Sequence, residues 1–198
     1  MSAYPQSVDS PIQHGLAPGG NSFTNPTIHS TPLPEGVNGT FTTLAAMADC
    51  VKGNVGPDFC GYQGLQVKRK LAVLIEAGWN VGQSEIETCF DFVAHHVKYL
   101  AHPVDQQIVQ DACRTIQFKT GDCVSKSVLL ATLLAALDYK PFFIAQYQSD
   151  ETGFSHVYVA LPDRMGATLR LDPVANDKPM GWSQKLPDGG FETSFEIF

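Results

Sequence analysis

The sequence predicts an α+β domain in which helices come first and an antiparallel sheet follows. Residues 40–100 carry apolar side chains three and four positions apart, which is the spacing of amphipathic helices. The segment 124–137 is apolar almost all round, which indicates a central helix that other elements cover on most sides. Three short strand-like segments follow this helix, and helices followed by strands is the order typical of the α+β class.

Two helices are predicted in the first part of this domain. The first covers residues 40–52, and Gly53 is expected to end it because glycine favours helix C-termini. A Gly-rich loop over 53–64 leads to the second helix over 65–77. The apolar face predicted for the first helix consists of Phe41, Leu44, Met47 and Val51.

A third helix is predicted over residues 84–100. Ser84 and Glu87 have the spacing of a capping box, in which each side chain accepts from the backbone N–H of the other residue. Pro103 is expected to force the end of this helix, because proline lacks an N–H and clashes with the preceding turn. A polar connection then leads to the central helix. The predicted core stripe consists of Ile86, Phe90, Val93, Val97 and Leu100.

The strand predictions all follow the central helix. Segments 141–148, 156–161 and 168–171 have strand composition, and the second of them alternates between two faces. Residues 174–198 are loop-like, and their apolar tail 195–198 is expected to dock as an edge strand. The sequence therefore predicts a central helix packed on an antiparallel β-sheet.

Two regions of different composition divide the chain. Residues 1–38 are rich in Pro, Gly, Ser, Asn and Thr and have almost no apolar periodicity, which predicts an extended N-terminal arm. Residues 39–198 are long enough for a single domain with its own core. Arms of this kind tie subunits together, so a partner chain or an assembly is the expected contact of residues 1–38.

Charge and hydropathy exclude several classes of function. The 198 residues carry a formal net charge of −7 and no basic stripe, so nucleic acid is not an expected partner. The N-terminus lacks a basic segment followed by an apolar one, so no signal peptide is predicted. The longest apolar run, 128–137, is half of a membrane span. We therefore expect a chain without a membrane span, made in a cytoplasm.

The cysteine and histidine spacings predict neither a disulfide framework nor a metal site. Five cysteines without a Cys-x-x-Cys pair fit neither a zinc ribbon nor a set of bridges. Cys50 and Cys60 are near enough in sequence to pair, but a reducing compartment favours free thiols. His95, His96 and His102 lie close together without an acidic or cysteine ligand spaced to complete a site. No metal and no cofactor are expected.

The most informative stretch is Gly121-Asp122-Cys123, at the head of the central helix. A helix N-terminus has unpaired N–H groups and a partial positive charge, both of which favour the reactive thiolate. Asp122 is a plausible N-cap, and Gly121 lets the backbone pass close to a substrate. The N–H of Cys123 could donate to an oxyanion formed beside the sulfur. The alternative interpretation is that Cys123 is a small buried hydrophobic residue, as most free cysteines are.

A thiol nucleophile needs a base, and the base needs an acceptor that orients it. His156 begins one predicted strand and Asp172 ends the next, so a hairpin of the two strands places them side by side. His156 would then face Cys123 with its second ring nitrogen. Each residue also has a plainer interpretation, a surface histidine at a loop edge and an Asp-Pro turn. All three residues at matching element ends favour a Cys-His-Asp triad.

The segment GDCVSKSVLLATLLAALDYKPFFIAQYQ, followed by SHVYVAL and LRLDPV, resembles the transglutaminase-like superfamily of papain-type cysteine enzymes. In family order, its motif falls on Cys123, His156 and Asp172. FDFVAHHVKY over 90–99 is similar to the helix that precedes the family's nucleophile, and Gly181-Trp182 is similar to phage-encoded members. The resemblance covers roughly residues 40–182. It implies a transglutaminase-like/papain-like fold with these three residues catalytic.

Two features depart from the family or stay open. Many relatives have acidic residues directly after the cysteine, whereas Val124, Ser125 and Lys126 follow here, and an inward Lys126 would favour the thiolate. Tyr99 and Gln117 are candidates by position for a second oxyanion donor.

The resemblance implies a thiol peptidase or amidase that acts on a protein or peptide substrate through a thioester. Hydrolysis is favoured over crosslinking, because superfamily members outside the animal enzymes often hydrolyse. A different class of function is a non-catalytic structural or assembly protein of a virion with an idle site. In either case the phage likeness implies a chain made in the host cytoplasm and incorporated in a virion, with the N-terminal arm contacting other virion proteins.

Overall fold

A computed structural model describes residues 36–55, 58–59, 62–63, 84–101, 107–149, 153–162 and 167–198. The predicted helix over 65–77 lies outside these residues, as do Cys60 and His102.

The first helix, α1 (Gly36–Asn54), begins earlier and ends later than the sequence predicts. Leu44, Met47 and Val51 are buried as predicted, whereas Phe41 is 46% exposed, so the predicted apolar face was one residue too wide. The loop predicted after this helix contains two short antiparallel strands. They are β1 (Asp58–Phe59) and β2 (Tyr62–Gln63).

Helix α2 (Glu85–His96) begins as the capping-box pattern predicts. Ser84 is the N-cap, its Oγ accepts from the Glu87 N–H at 3.2 Å, and Glu87 Oε2 accepts from the Ser84 N–H at 2.8 Å. Both contacts satisfy N–H groups that lack an intrahelical partner. The predicted beginning of this helix is confirmed.

The predicted end of that helix at Leu100 was wrong. The chain leaves the helix at Val97, because β3 (Lys98–Tyr99) pairs in parallel with β4 (Thr120–Gly121). Leu100 is 59% exposed and takes no part in the core stripe. The connection expected to be polar contains a helix, α3 (Ala112–Phe118), whose N-cap Asp111 accepts from the Arg114 N–H.

The central helix, α4 (Cys123–Ala136), is confirmed, and its neighbours cover nearly all of it. It contacts α1, α2, α3 and the sheet. From Val124 to Ala135 every side chain is buried, including the polar Ser125, Lys126, Ser127 and Thr132. A helix that is apolar on all sides is stable in water only inside such a shell, so α4 is the element on which the other layers pack.

Four antiparallel strands form the sheet. They lie in the order β7-β6-β5-β8, and β6 and β7 form the predicted hairpin. The edge strand expected at the tail is present but begins at Phe191, four residues earlier than predicted. The strand bounds are β5 (Phe142–Tyr147), β6 (His156–Pro162), β7 (Thr168–Leu171) and β8 (Phe191–Glu196).

The two faces of the sheet differ, as the alternation in β6 predicts. Val157, Val159 and Leu161 join the main core with the helices. Tyr158 and Ala160 form a smaller cluster with Ile144. The α+β class and the helix packed on an antiparallel sheet are therefore confirmed. None of the helices described is long and apolar enough to cross a membrane.

The cysteines correct one expectation. Cys113 is disulfide-bonded, whereas the sequence analysis expected free thiols throughout. Cys50, Cys89 and Cys123 are free. That expectation rested on an assumed reducing compartment and on spacing along the chain, neither of which says which sulfurs the fold brings together.

Candidate active site

Cys123 is the first residue of α4, and its position is fixed by the cap in front of it. Asp122 has an extended backbone and is the predicted N-cap. Its Oδ1 accepts from the Ser125 N–H and from Ser125 Oγ, both at 2.8 Å. Asp122 is buried while Cys123 is half-buried, so the cap is shielded and the thiol is accessible. The N–H of Cys123 lies at the end of the helix where backbone donors have no intrahelical acceptor.

Gly121 has a steric reason to be glycine. A Cβ at this position would lie 2.7 Å from Ser125 Cβ, a separation that real carbon atoms do not show. We expect Gly121→Ala to lower the free energy of unfolding by about 1–3 kcal/mol, the usual cost of overpacking a buried site. It should also slow alkylation of Cys123, because relief of the clash moves the turn that carries the thiol.

Urea denaturation and iodoacetamide kinetics measure the two effects of Gly121→Ala. Gly53→Ala is the matched control, because a Cβ at Gly53 meets nothing within 4 Å and alanine favours the helix. Equal stabilities for Gly121→Ala and the wild type would contradict the close approach.

His156 and Asp172 are in direct contact. His156 Nε2 lies 2.8 Å from Asp172 Oδ2, and both side chains are largely buried. The other carboxylate oxygen, Oδ1, accepts from the Val174 N–H at 3.0 Å, which holds the carboxylate in place. The hairpin that the sequence predicts therefore brings the end of β7 beside the beginning of β6.

The imidazole of His156 also hydrogen-bonds to Cys123, so one ring connects the carboxylate and the thiol. Burial alone lowers the pKa of His156, but the hydrogen bonds to Asp172 and Cys123 and their negative charges outweigh it and raise the pKa to about 9. The three residues named from the sequence thus come together at the head of α4. The arrangement can move a proton between sulfur and nitrogen while the carboxylate stabilises the imidazolium.

Ser127 and Lys126 fix the first turn of α4 against its neighbours. Ser127 Oγ donates to the carbonyl oxygen of Val157 at 3.1 Å, which ties the turn after Cys123 to the residue after His156. The buried Lys126 Nζ donates to the carbonyl oxygens of Ala94 and Val97, at 3.2 and 2.9 Å. A cation is favoured at these carbonyls because they lie at the C-terminal end of α2.

Lys126 therefore points inward, and its ammonium lies at the end of α2. Burial lowers the pKa of Lys126 to about 8, and the negative charge of Asp172 acts in the opposite direction. The two α2 carbonyls are partners that sequence reasoning did not find, because nothing in the local pattern links residues 32 and 29 positions apart.

The other free thiols differ from Cys123 in their surroundings. Burial and the charge of Glu85 raise the pKa of Cys89 to about 12. Burial and the charges of Asp111 and Asp49 raise the pKa of Cys50. Both side chains therefore stay as unreactive thiols at neutral pH. Cys123 is the described free cysteine whose thiol contacts a histidine.

Tyr99 lies near the thiol, and Gln117 does not. Tyr99 pairs with Gly121 in the β3–β4 ladder and is 49% exposed. Burial and the negative charges of Cys123 and Asp122 raise the pKa of its phenol, so its hydroxyl is close enough to sense the sulfur. Gln117 is exposed on α3, and no contact joins it to the site.

Within the described ranges, no group of three or more His, Cys, Asp and Glu side chains is placed to hold a metal ion. The ring nitrogens of His95 lie 3.0 and 3.2 Å from the carbonyl oxygens of Asp91 and Asn176. His95 thus joins α2 to the loop that follows Asp172. The described chemistry of the site comes from protein side chains.

A cavity of about 360 Å³ opens beside His156 and Asp172. Its far wall is formed by a stretch after β7 that includes Trp182, Gln184 and Lys185. From the sequence, only Trp182 was noted, and only as part of the family likeness. A loop-like segment gives no periodicity from which its position over a site could be predicted.

Comparisons with known proteins give structural likenesses at low sequence identity. No protein-family model matches the chain, and no curated protein matches it. A "putative protease" from Parabacteroides distasonis superposes with a TM-score of 0.46 at 17% identity, covering 65% of this chain and 25% of that one. A "putative cysteine protease" from Cytophaga hutchinsonii superposes with a TM-score of 0.40 at 17% identity, covering 56% of this chain and 38% of that one. This chain thus spans well under half the length of either protein.

Proposed function

We propose that the chain is a transglutaminase-like cysteine hydrolase, a peptidase or amidase that cleaves amide bonds through a thioester. The observation that carries the proposal is the pair of contacts made by His156. Its Nε2 lies 2.8 Å from Asp172, and its ring hydrogen-bonds to Cys123 at the head of a helix. A nucleophile, a base and an orienting acceptor in series is the geometry that covalent catalysis needs.

In the proposed reaction, His156 takes the proton from Cys123, and the sulfur attacks the amide carbonyl carbon to give a tetrahedral oxyanion. The oxyanion collapses, the C–N bond breaks, and the imidazolium gives its proton to the leaving amine. Water then adds to the thioester with His156 as the base. The C–S bond breaks, the acid product leaves, and the proton returns to the sulfur. Asp172 stabilises the imidazolium in both halves.

Two donors are proposed for the oxyanion. The N–H of Cys123 is free of an intrahelical acceptor and lies beside the sulfur. The Tyr99 hydroxyl is the second, supported by its response to the charge of Cys123 and by its pairing with Gly121. Gln117 is no longer a candidate, because its exposed position on α3 offers no contact with the site.

Iodoacetamide alkylation tests this proposal without a known substrate. We expect Cys123 to react at pH 6, where an unassisted thiol with a pKa of about 8.5 is under about 1% thiolate. Cys50 and Cys89 should stay unmodified, because their surroundings raise their pKa values. His156→Gln should remove the low-pH reactivity and leave the profile of an ordinary thiol.

Intact-mass spectrometry and peptide mapping between pH 5 and pH 10 give the rate at each cysteine, with Cys123→Ala as the blank. A Cys123 that is inert at every pH, or whose profile is indifferent to His156, would instead support the second function class, a scaffold with an idle site. The virion association and the role of residues 1–38 stay predictions, because they concern residues outside those described.

A further inference from the structure

The cavity beside the triad lies on one side of the reacting atoms. His156 and Asp172 line it, and Cys123 does not. In the proposed reaction the leaving amine takes its proton from the imidazole, so it must depart over His156. A cavity that His156 lines and Cys123 does not is therefore placed to receive the amine side of the scissile bond. The inference below rests on the proposed function and names the substrate feature that this cavity selects.

The lining has a cation and no available carboxylate. Asp172 is engaged with His156 and with the Val174 N–H, so its charge is compensated inside the site. Lys185 is the cationic residue of the lining besides His156, and in the described parts of the chain it makes no ion pair. This positive charge stands out in a chain of net charge −7.

Amide side chains surround the cavity. Gln148 and Gln184 line it, and neither has a hydrogen-bond partner among the described residues. Gln146 is buried and donates through Nε2 to Glu192 Oε1 at 2.9 Å, which leaves its own carbonyl oxygen as an acceptor at the wall. Glu192 is held by Arg170 at 2.8 Å, so Gln146 is set in a fixed orientation.

We infer that this cavity binds the leaving-amine portion of the substrate, and that Lys185 selects leaving groups that bear a carboxylate. The glutamine amides donate to the same carboxylate or bind the peptide groups that carry it. A carboxylate can come from an acidic side chain or from a free C-terminus, and the two sources offer the same chemistry to Lys185. Because Lys185 is exposed, one ion pair with it changes selectivity by about fivefold at most.

The test uses p-nitrophenyl acetate to form the acetyl-enzyme at Cys123, and short amines to intercept it. An amine that attacks the thioester enters where a leaving amine departs, so the partition between acetyl-amine and acetate reports on this cavity. The acceptors are glycyl-glutamic acid α-amide, glycylglycine, glycylglycine amide and glycyl-lysine amide. The first two separate a side-chain carboxylate from a C-terminal one, and the others are neutral and cationic.

We expect at least one carboxylate-bearing acceptor to intercept about fivefold better than the neutral amide. Lys185→Gln should abolish that preference, and Lys185→Glu should turn it toward glycyl-lysine amide. Lys178→Gln is the matched control, because Lys178 lies on the same stretch and already pairs with Asp177 at 2.6 Å. All three variants should keep the iodoacetamide reactivity of Cys123.

The outcomes separate the two proposals. If no acetyl-enzyme forms and Cys123 is inert to iodoacetamide, the proposed hydrolase function fails and this inference fails with it. If the acetyl-enzyme forms but its partition ignores acceptor charge, or Lys185→Glu leaves the preference unchanged, the hydrolase stands and the role of Lys185 is overturned.

Discussion

Cys123→Ala is expected to lower the turnover of p-nitrophenyl acetate and of a fluorescein-labelled protein substrate by on the order of 10³-fold or more. The substitution removes the atom that forms the thioester, and no other described free thiol contacts a histidine. The free energy of unfolding should change by less than about 1 kcal/mol, because the side chain is half-buried and loses one atom. Turnover and urea denaturation of the same preparation measure both effects.

Cys50→Ala is the matched control for that experiment. Cys50 is also free and half-buried, but it lies on α1, and burial and two nearby aspartates raise its pKa. It should keep full turnover and the same alkylation of Cys123. Turnover that survives in Cys123→Ala would place the chemistry elsewhere, and turnover lost in Cys50→Ala would show that the assay reports on folding.

The parts of the fold that the sequence predicts well are those with local causes. The capping box of Ser84 and Glu87 is satisfied within four residues, so its pattern fixes where α2 begins. The β6–β7 hairpin follows from two short strands close in sequence. Cys123, His156 and Asp172 were found because each lies at an element end, where a correct element prediction also places the side chain.

The parts that the sequence does not predict depend on distant segments. The end of α2 is set by pairing of Tyr99 with Gly121, and that pairing outweighs the helical periodicity that continues to Leu100. Lys126 reads locally as a surface charge beside the nucleophile, yet it is buried at the end of α2. The bond at Cys113 was missed for the same reason, since spacing along the chain does not reveal proximity in the fold.

The cavity shows the same limit at the level of function. Gln146 is on β5, His156 on β6 and Lys185 on a stretch without periodicity, so their meeting depends on the sheet order and on the path after β7. The reacting residues could thus be named from the sequence, while the residues proposed to choose the substrate could not. Motifs report chemistry, and specificity lies in the loops that the scaffold positions.

The charge state of His156 is expected to make stability depend on pH between about 6.5 and 9. Its folded pKa, about 9, lies above the ordinary value of 6.5, so the folded state holds the proton more tightly than the unfolded chain. The resulting stabilisation is fully present below pH 6.5 and is lost as pH rises through 9. The difference corresponds to about 3 kcal/mol, because one pKa unit is about 1.4 kcal/mol and the side chain is only 16% exposed.

Urea denaturation from pH 5.5 to pH 9.5 measures this dependence, with His156→Gln as the reference that lacks the titrating ring. The Cys123→Ala background removes titration of the thiol, and the loss there should be smaller, since the hydrogen bond to Cys123 contributes to the raised pKa. Asp172→Asn should reduce it further, because the contact at 2.8 Å loses its negative charge. If the wild type and His156→Gln lose stability in parallel across this range, the imidazolium is not stabilised in the folded state. The His156–Asp172 pair would then hold the ring in place without favouring its charge, and the proposed proton transfer from Cys123 would lose its driving force.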